Sequence, residues 1–205
     1  LYPEKWKPLG KTSLIDELSV YNSPLSTKTI YKQWIKEKPT SKQASIHLAV
    51  GKRAPKVDGV VNANEYAFAG TGFFDLHGVF AQTQSQYYLS FDDKHVYVAV
   101  KSPILKPFLN KHRGRDAKVY QDDSVEVFLS PRPNDRNYFQ FVVNANQAVL
   151  DANHKDNSWN SPSFPIASKC DDDRWTLEMA LPFSSLGVPP PKSGETWKLN
   201  ICRSF

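Results

Sequence analysis

Two neighbouring stretches of the chain combine carboxylate, amide and aromatic side chains in a strand-like pattern. The first reads Y-Q-D-D-S-V-E-V-F-L over residues 120–129, and the second reads Y-F-Q-F-V-V-N over residues 138–144. Apolar residues recur at every second position, the period of a β-strand, whose successive side chains point to opposite faces. Glu126, Gln140 and Asn144 therefore share one polar face, opposite an apolar face that belongs in a core.

Fixed hydrogen-bonding groups beside an aromatic ring are what a sugar requires of a protein surface. Carboxylate and amide groups bond to the hydroxyls, while a ring covers the apolar C–H face of a pyranose. Tyr120 precedes the strand that carries Glu126, and Trp159 lies in a polar loop. The pattern predicts a ligand site made of Tyr120, Glu126, Gln140, Asn144 and Trp159. The alternative is a solvated sheet surface, with Trp159 as a loop anchor.

Asp122, Asp123 and Glu126 also form a carboxylate cluster, which raises the question of glycoside hydrolysis. That reaction needs two carboxyl groups on either side of one bond, about 5 to 9.5 Å apart. Asp123 is better interpreted as a strand-entry residue that accepts hydrogen bonds from backbone N–H groups. We therefore predict no catalytic residue and no enzymatic activity.

The rest of the chain predicts many short strands. Strand patterns begin at Ser45 and are separated by turn signals such as Asp58-Gly59. Residues 92–95 and 171–173 each separate two strand patterns, which predicts two further β-hairpins. Many short strands at this spacing are typical of an antiparallel all-β sandwich or barrel. We assign this domain to residues 45–205.

Residues 1–44 differ from this pattern because they are rich in lysine and proline. We interpret them as an N-terminal arm or interdomain connector that contains a short helix over residues 26–38, ended by Pro39. Trp6 and Trp34 are its predicted anchors on the main domain. The alternative for this basic helix is contact with a membrane surface.

Charge and hydropathy exclude several classes of partner. The chain of 205 residues has a net charge of +5 and a pI of about 9.1, but its basic residues do not form one concentrated patch. We therefore expect no nucleic-acid partner. No stretch approaches the roughly 18 apolar residues of a membrane span, so we expect none. Cys170 and Cys202 could form one disulfide or remain two buried thiols, and their spacing excludes a C-x-x-C metal motif.

Six segments occur in the order seen in carbohydrate-binding module family 9. They are residues 54–66, 90–100, 122–129, 138–144, 174–187 and 194–203. The chain resembles this family from about residue 45 to residue 205. The resemblance implies an antiparallel, jelly-roll-like β-sandwich related to the DOMON domains.

The resemblance also implies a function, because the family holds a sugar end between aromatic rings beside a sheet carboxylate. The ring matches Tyr120 and the carboxylate matches Glu126, while an arginine that assists in some members falls on Val142. The family's second ring comes from a segment beyond the last strand, and the sequence given ends at Phe205. Either a loop such as the one that carries Trp159 replaces that ring, or the chain is a piece of something longer, or the sugar function is lost.

The implied function is non-catalytic binding of an oligo- or polysaccharide. The implied setting is a larger secreted or surface polysaccharide-acting protein with neighbouring domains, in an extracellular, periplasmic or cell-surface location. The alternative is a structural or interaction module of the same fold that has lost sugar binding.

The family also bears on cofactors. Structural calcium occurs in it, and this chain has oxygen-rich loops around Asp92, Asp93, Asp151 and residues 171–173, although none has the regular spacing of a calcium loop. Structural calcium is thus the one metal we expect, at ligands that remain unknown. Related domains bind haem through Met, but Met179 alternates with core residues, so we expect no haem.

Overall fold

The structure, a computed structural model, describes residues 48, 53–74, 79–131, 137–154, 156 and 158–205. The predicted arm, its helix and its tryptophan anchors lie outside these residues, as does the predicted boundary after residue 44. The described residues fall into two compact units. Gly72–Gln84 belongs to the first unit, while Leu48–Thr71 and Ser85–Phe205 form the second.

The described residues of the second unit form two antiparallel sheets with the strand orders β1-β2-β3-β8-β7 and β6-β5-β4-β9. The strands are β1 Phe68–Gly70, β2 Gln86–Phe91, β3 His95–Pro103, β4 Ser124–Ser130, β5 Phe139–Asn144, β6 Val149–Asn153, β7 Ile166–Cys170, β8 Arg174–Pro182 and β9 Lys198–Ser204. Two 3₁₀ turns, Ala63–Glu65 and Val119–Gln121, are also present. No helix within the described ranges has the length and apolar character needed to cross a bilayer.

Within the described residues, the period-two patterns at 120–129 and 138–144 are confirmed as strands, and the all-β sandwich is confirmed as the fold. The strand pattern that begins at Ser45 lies outside those residues apart from Leu48. The three predicted hairpins form β2-β3, β4-β5 and β7-β8. In β8, alternate side chains are at most 1% exposed and face the core, namely Trp175, Leu177, Met179 and Leu181. Among the described strands, none is hydrogen-bonded to both sheets. The two sheets therefore remain separate, as in a sandwich, and do not form a barrel.

Arg203 of β9 connects the two sheets through the core. Its Nη2 donates to Asp123 Oδ1 at 2.7 Å, beside the start of β4. Its Nε donates to Ser102 Oγ of β3 at 3.0 Å, and the guanidinium lies 4.8 Å from the ring centroid of Trp175 in β8. Both members of the Arg203–Asp123 ion pair are buried, so the two sheets are joined by charge as well as by apolar packing.

A chain segment before β1 covers the outer face of the five-stranded sheet. Glu178 of β8 points to this face, yet it is fully buried. It accepts hydrogen bonds from the backbone N–H groups of Asp58 and Gly59 at 3.0 and 2.7 Å, and from the Tyr66 hydroxyl at 2.6 Å. Gly59 has a φ of +83°, which confirms the predicted turn. Tyr66 also packs on Tyr88 of β2, so this face is closed.

Within the segment Gly72–Gln84, hydrogen bonds and ring packing connect residues of the segment to one another. The amide oxygen of Gln84 accepts from the backbone N–H groups of Gly72 and Phe73 at 3.1 and 2.8 Å. Phe74 and Phe80 form an antiparallel bridge, and their rings meet edge to face. A single glutamine side chain therefore ties the two ends of this segment together.

The two cysteines are free thiols in different sheets. Cys170 ends β7 and is exposed, whereas Cys202 is in β9 and half-buried. A disulfide is therefore not formed, and the expectation of two buried thiols is wrong for Cys170, which lies at the exposed end of an edge strand.

Candidate functional site

Glu126 lies on the outer face of the four-stranded sheet, in β4, which is one of its two inner strands. It stands opposite Val142 of β5 on one side and Cys202 of β9 on the other. Gln140 Nε2 donates to Glu126 Oε2 at 3.1 Å, and Ser204 Oγ donates to Oε1 at 3.4 Å. Each carboxylate oxygen has two lone pairs, so each can accept a further hydrogen bond. Among the described residues, Gln140 and Ser204 are the side chains that donate to this carboxylate, so they orient it without saturating it.

The surroundings of this carboxylate are partly desolvated. Burial raises the pKa of Glu126 above its ordinary value of 4.5, and the hydrogen bonds from Gln140 and Ser204 offset part of that rise. Burial, followed by the negative charge of Glu126, raises the pKa of the Cys202 thiol to about 12. At neutral pH the thiol is therefore protonated. Hydrogen bonds to Glu126 are stronger here than in open solvent because the local dielectric is lower.

Tyr120 lies in the 3₁₀ turn Val119–Gln121 and not in the strand itself. Val119 is fully buried and packs with Val142 and Ala148, which fixes the turn on the outer face of the four-stranded sheet. The turn contacts β4, β5 and β6. Tyr120 is half-buried on this turn, on the same side of the sheet as the carboxylate.

An aromatic surface that the sequence analysis did not assign lies next to Glu126. Phe128 is two residues further along β4, which puts it on the same face, and it stands opposite Gln140. Its half-buried ring meets Tyr138 edge-on with the centroids 5.7 Å apart, and Tyr138 lies 4.8 Å from His154. The i, i+2 spacing in the sequence was the signal for this ring.

Asn144 shares the outer face but is fully buried, and its amide is used within the protein. Its Nδ2 donates to Asp122 Oδ2 at 2.8 Å and to the carbonyl of His112 at 3.0 Å. Its Oδ1 accepts from the backbone N–H groups of Asn146 and Ala148, each at 3.0 Å. All four hydrogen-bonding positions of the amide are thus occupied. The structure places Asn144 in the framework of the site and not at its surface.

Trp159 packs against the opposite face of the same sheet. Its ring centroid lies 5.2 Å from that of Phe139 and 6.1 Å from that of Phe141. Phe141 is fully buried, and it points away from the face that carries Gln140 because adjacent strand residues alternate. The structure therefore does not bring Trp159 together with the carboxylate, and its contacts are those of a loop anchor.

Asp122 and Asp123 are buried and engaged with the protein. Asp123 accepts from the backbone N–H of Leu109 at 2.7 Å and pairs with Arg203, which fits its predicted role at the strand entry. Burial alone would raise the pKa of Asp122, but hydrogen bonds, those from His112 foremost, outweigh it and lower that pKa. Neither carboxylate joins Glu126 as the second member of an acid–base pair.

No group of three or more His, Cys, Asp or Glu side chains suited to a metal ion is found among the residues that the structure describes. Asp151 pairs with Arg115, and Asp92 accepts from the backbone N–H groups of Lys94 and His95. Structural calcium and the absence of haem both stay predictions. Met179 lies in the core, as its alternation predicted.

Solved structures with a similar fold include two complexes of a carbohydrate binding module family 9 from Caldicellulosiruptor kristjanssonii. The complex with glucose is 22% identical and covers 74% of each chain, with a TM-score of 0.53. The complex with cellotriose is 21% identical and covers 74% of this chain and 73% of that one, with a TM-score of 0.55. At these identities the likeness shows the fold. No curated protein sequence matches this chain significantly.

The family model described as "Carbohydrate family 9 binding domain-like" matches residues 58–202. The match covers more than half of the chain and includes the strand of Glu126 and the turn of Tyr120. It begins at the turn that Glu178 holds and ends at Cys202 in β9, so it spans both sheets. The resemblance seen in the six segments is thereby confirmed. The chain belongs to the carbohydrate family 9 binding domain-like family.

Proposed function

We propose that this protein binds carbohydrate without cutting it, through the outer face of the four-stranded sheet around Glu126. The observation that carries the proposal is the unsaturated carboxylate of Glu126, which Gln140 and Ser204 orient on a face outside the core. The opposite outer face of the sandwich is covered by the segment that Glu178 holds. The sheet of Glu126 is therefore the better ligand surface.

The chemistry of this surface suits sugar hydroxyls. The free lone pairs of Glu126 can accept two or more hydroxyl hydrogen bonds, each charge-assisted and worth about 1.5–3 kcal/mol. The ring of Phe128, next to the carboxylate, offers an apolar surface for the C–H face of a pyranose. Tyr120, on the turn above β5, is the second aromatic candidate. Trp159 and Asn144 are not part of this proposal, because their side chains are used elsewhere in the fold.

The absence of catalysis is proposed from the same geometry. Hydrolysis of a glycosidic bond needs a second carboxyl group across from the first. Asp122 and Asp123 are the nearest candidates in sequence, and both are buried in hydrogen bonds and an ion pair. We therefore assign Glu126 to binding and name no catalytic residue.

We propose a neutral sugar as the ligand, because the charge of Glu126 would repel an anionic one and because of what the similar structures hold. The two similar structures hold glucose and cellotriose. Glucose and short β-glucans are therefore the first probes for this protein. We further propose that the domain serves a larger polysaccharide-acting protein at the cell surface, in the periplasm or outside the cell.

One observation favours a second candidate function, a module that has lost sugar binding. Val142 occupies the position where the family resemblance places an assisting arginine, and it is fully buried under Val119. The arginine contact is thus replaced by apolar packing. Under this alternative the sandwich serves as a structural or interaction module.

Calorimetry with glucose, cellotriose and a panel of other neutral oligosaccharides separates the two. We expect binding by the natural protein and a loss of about tenfold or more, or 1.4 kcal/mol, in Glu126→Gln and in Tyr120→Ala. Glu195→Gln, a matched change in an exposed loop, should leave the affinity unchanged. Flat titrations across the panel would favour the structural module instead.

A further inference from the structure

A cavity that is largely open to solvent, and that the proposed sugar surface does not use, lies between the edge strands of the two sheets. Its volume is about 330 Å³, and its lining includes Val149, the first residue of β6, and Ile166, the first residue of β7. This volume falls within the roughly 300–1,000 Å³ typical of small-ligand sites. The cavity shares no lining residue with the surface around Glu126.

The lining mixes apolar and hydroxyl-bearing side chains around one cation. Phe164 is buried and packs edge-on against Phe141, which fixes its ring. Ser161 and Ser163 add hydroxyl groups, and Arg115 adds a guanidinium. Gln147 adds an amide, so polar and apolar side chains contribute about equally to the lining, which suits a small polar ligand.

Arg115 is anchored in this lining but not saturated. Its Nη1 donates to Asp151 Oδ1 at 2.5 Å and to Asn160 Oδ1 at 3.0 Å, while its Nη2 donates to the carbonyl of Ser161 at 2.8 Å. These bonds use three of the five N–H groups of a guanidinium. Among the described residues, Nε–H and a second Nη2 hydrogen have no partner. These remaining N–H groups can donate to a carboxylate.

The charge around Arg115 also favours an anion. Lys111, Arg113 and Lys118 are exposed on the same connection between β3 and β4. Two carboxylates oppose these cations, namely the exposed Asp116 on that connection and the buried Asp151, which pairs with Arg115. Exposed charges act over about 8 Å at physiological salt, so this excess of cations raises the local concentration of anions near the cavity.

We propose that this cavity binds the carboxylate of an acidic saccharide residue, a uronate. Nε and Nη2 of Arg115 bond to the two carboxylate oxygens, and the sugar ring lies against Phe164 with its hydroxyls near Ser163. The site is separate from the neutral-sugar surface because the negative charge of Glu126 would repel a uronate there. The proposal therefore stands or fails independently of binding at Glu126.

Calorimetry on the whole protein tests the ligand chemistry with glucuronate, neutral glucuronamide and acetate. We expect glucuronate to bind, and each of the other two to bind at least about tenfold more weakly. Equal affinity for glucuronamide would overturn carboxylate recognition. Equal affinity for acetate would overturn recognition of the sugar, and a flat glucuronate titration would overturn the site.

Variants test the location. Arg115→Lys keeps the charge beside Asp151 but removes the guanidinium that makes the bidentate contact with the carboxylate. Ser163→Phe fills the cavity. Each should weaken glucuronate binding at least about tenfold. Arg113→Lys, the matched control, and Glu126→Gln should bind glucuronate as the natural protein does. Loss of glucuronate binding in Glu126→Gln, or its full retention in both Arg115→Lys and Ser163→Phe, would contradict the proposal.

Discussion

Removing the hydroxyl of Tyr66 tests how the outer face of the five-stranded sheet is held closed. Tyr66→Phe removes one hydrogen bond of 2.6 Å to Glu178, whose side chain is 0% exposed. The backbone N–H groups of Asp58 and Gly59 would then be the only donors left to this carboxylate among the described residues. Burial, and next the hydrogen bond to Glu178, raise the pKa of Tyr66, so the phenol is protonated and donates at neutral pH.

The size of the effect follows from the charge on the acceptor. A hydrogen bond to a charged group contributes about 1.5–3 kcal/mol to stability, so Tyr66→Phe should lower the free energy of unfolding by that amount. In a chain of this length, 1 kcal/mol shifts the thermal midpoint by about 2–4 °C. The thermal midpoint should therefore fall by about 3–12 °C, and urea denaturation should also show that Tyr66→Phe is less stable than the natural protein.

Tyr88→Phe is the matched control, because Tyr88 belongs to the same core cluster and its ring lies 5.6 Å from that of Tyr66. Its hydroxyl donates to the neutral amide oxygen of Gln86 at 3.2 Å, in a partly buried setting. Its loss should cost about 1 kcal/mol or less. If the two variants unfold at the same urea concentration, the buried carboxylate does not contribute as described.

Three further predictions concern charge and thiols. Burial raises the pKa of Glu126 above 4.5. Sugar binding, measured by calorimetry, should therefore weaken as the pH falls through this raised pKa. The folded state binds the Glu126 proton more tightly than the unfolded state, so the contribution of Glu126 to stability should decrease as the pH rises through the raised pKa. Glu126→Gln should remove the pH dependence of both binding and stability. In the folded protein a thiol reagent should label Cys170 before Cys202, because Cys170 is exposed and the pKa of Cys202 is about 12. Burial and Asp171 also raise the pKa of Cys170, so both thiols should react faster in urea. Absence of free thiol would contradict this. Arg203→Met should lower the unfolding free energy by about 3–5 kcal/mol in urea denaturation, while Arg174→Met, which breaks an exposed pair, should change it by less than about 1 kcal/mol.

Local periodicity was enough to predict the hairpins β2-β3, β4-β5 and β7-β8 and the two faces of β4, but it did not predict β1 or β6. In β4, the alternation that places Val125 and Val127 in the core also places Glu126 outside it, as predicted. Short antiparallel hairpins such as β4-β5 depend on neighbouring residues, so sequence pattern carries most of the information.

Contacts between distant parts of the chain were not predictable in this way. Ser204 reaches Glu126 because β9 pairs with β4, and nothing local to either strand specifies that pairing. Glu178 occupies an outward position that periodicity assigns to solvent, yet residues far before it in the chain cover it. Trp159 and Asn144 have side chains of the right type for a ligand, but long-range packing and hydrogen bonds fix them elsewhere.

A titration with glucose followed by ¹H–¹⁵N correlation spectra tests the central claim most directly, because it reports both binding and location. The account predicts that the largest shifts fall on Glu126, Phe128, Gln140 and Ser204, which share one sheet face. In Glu126→Gln the same shifts should require at least about tenfold more glucose. Shifts that cluster instead around Glu178 on the other sheet, or spectra that do not change at all, would contradict it.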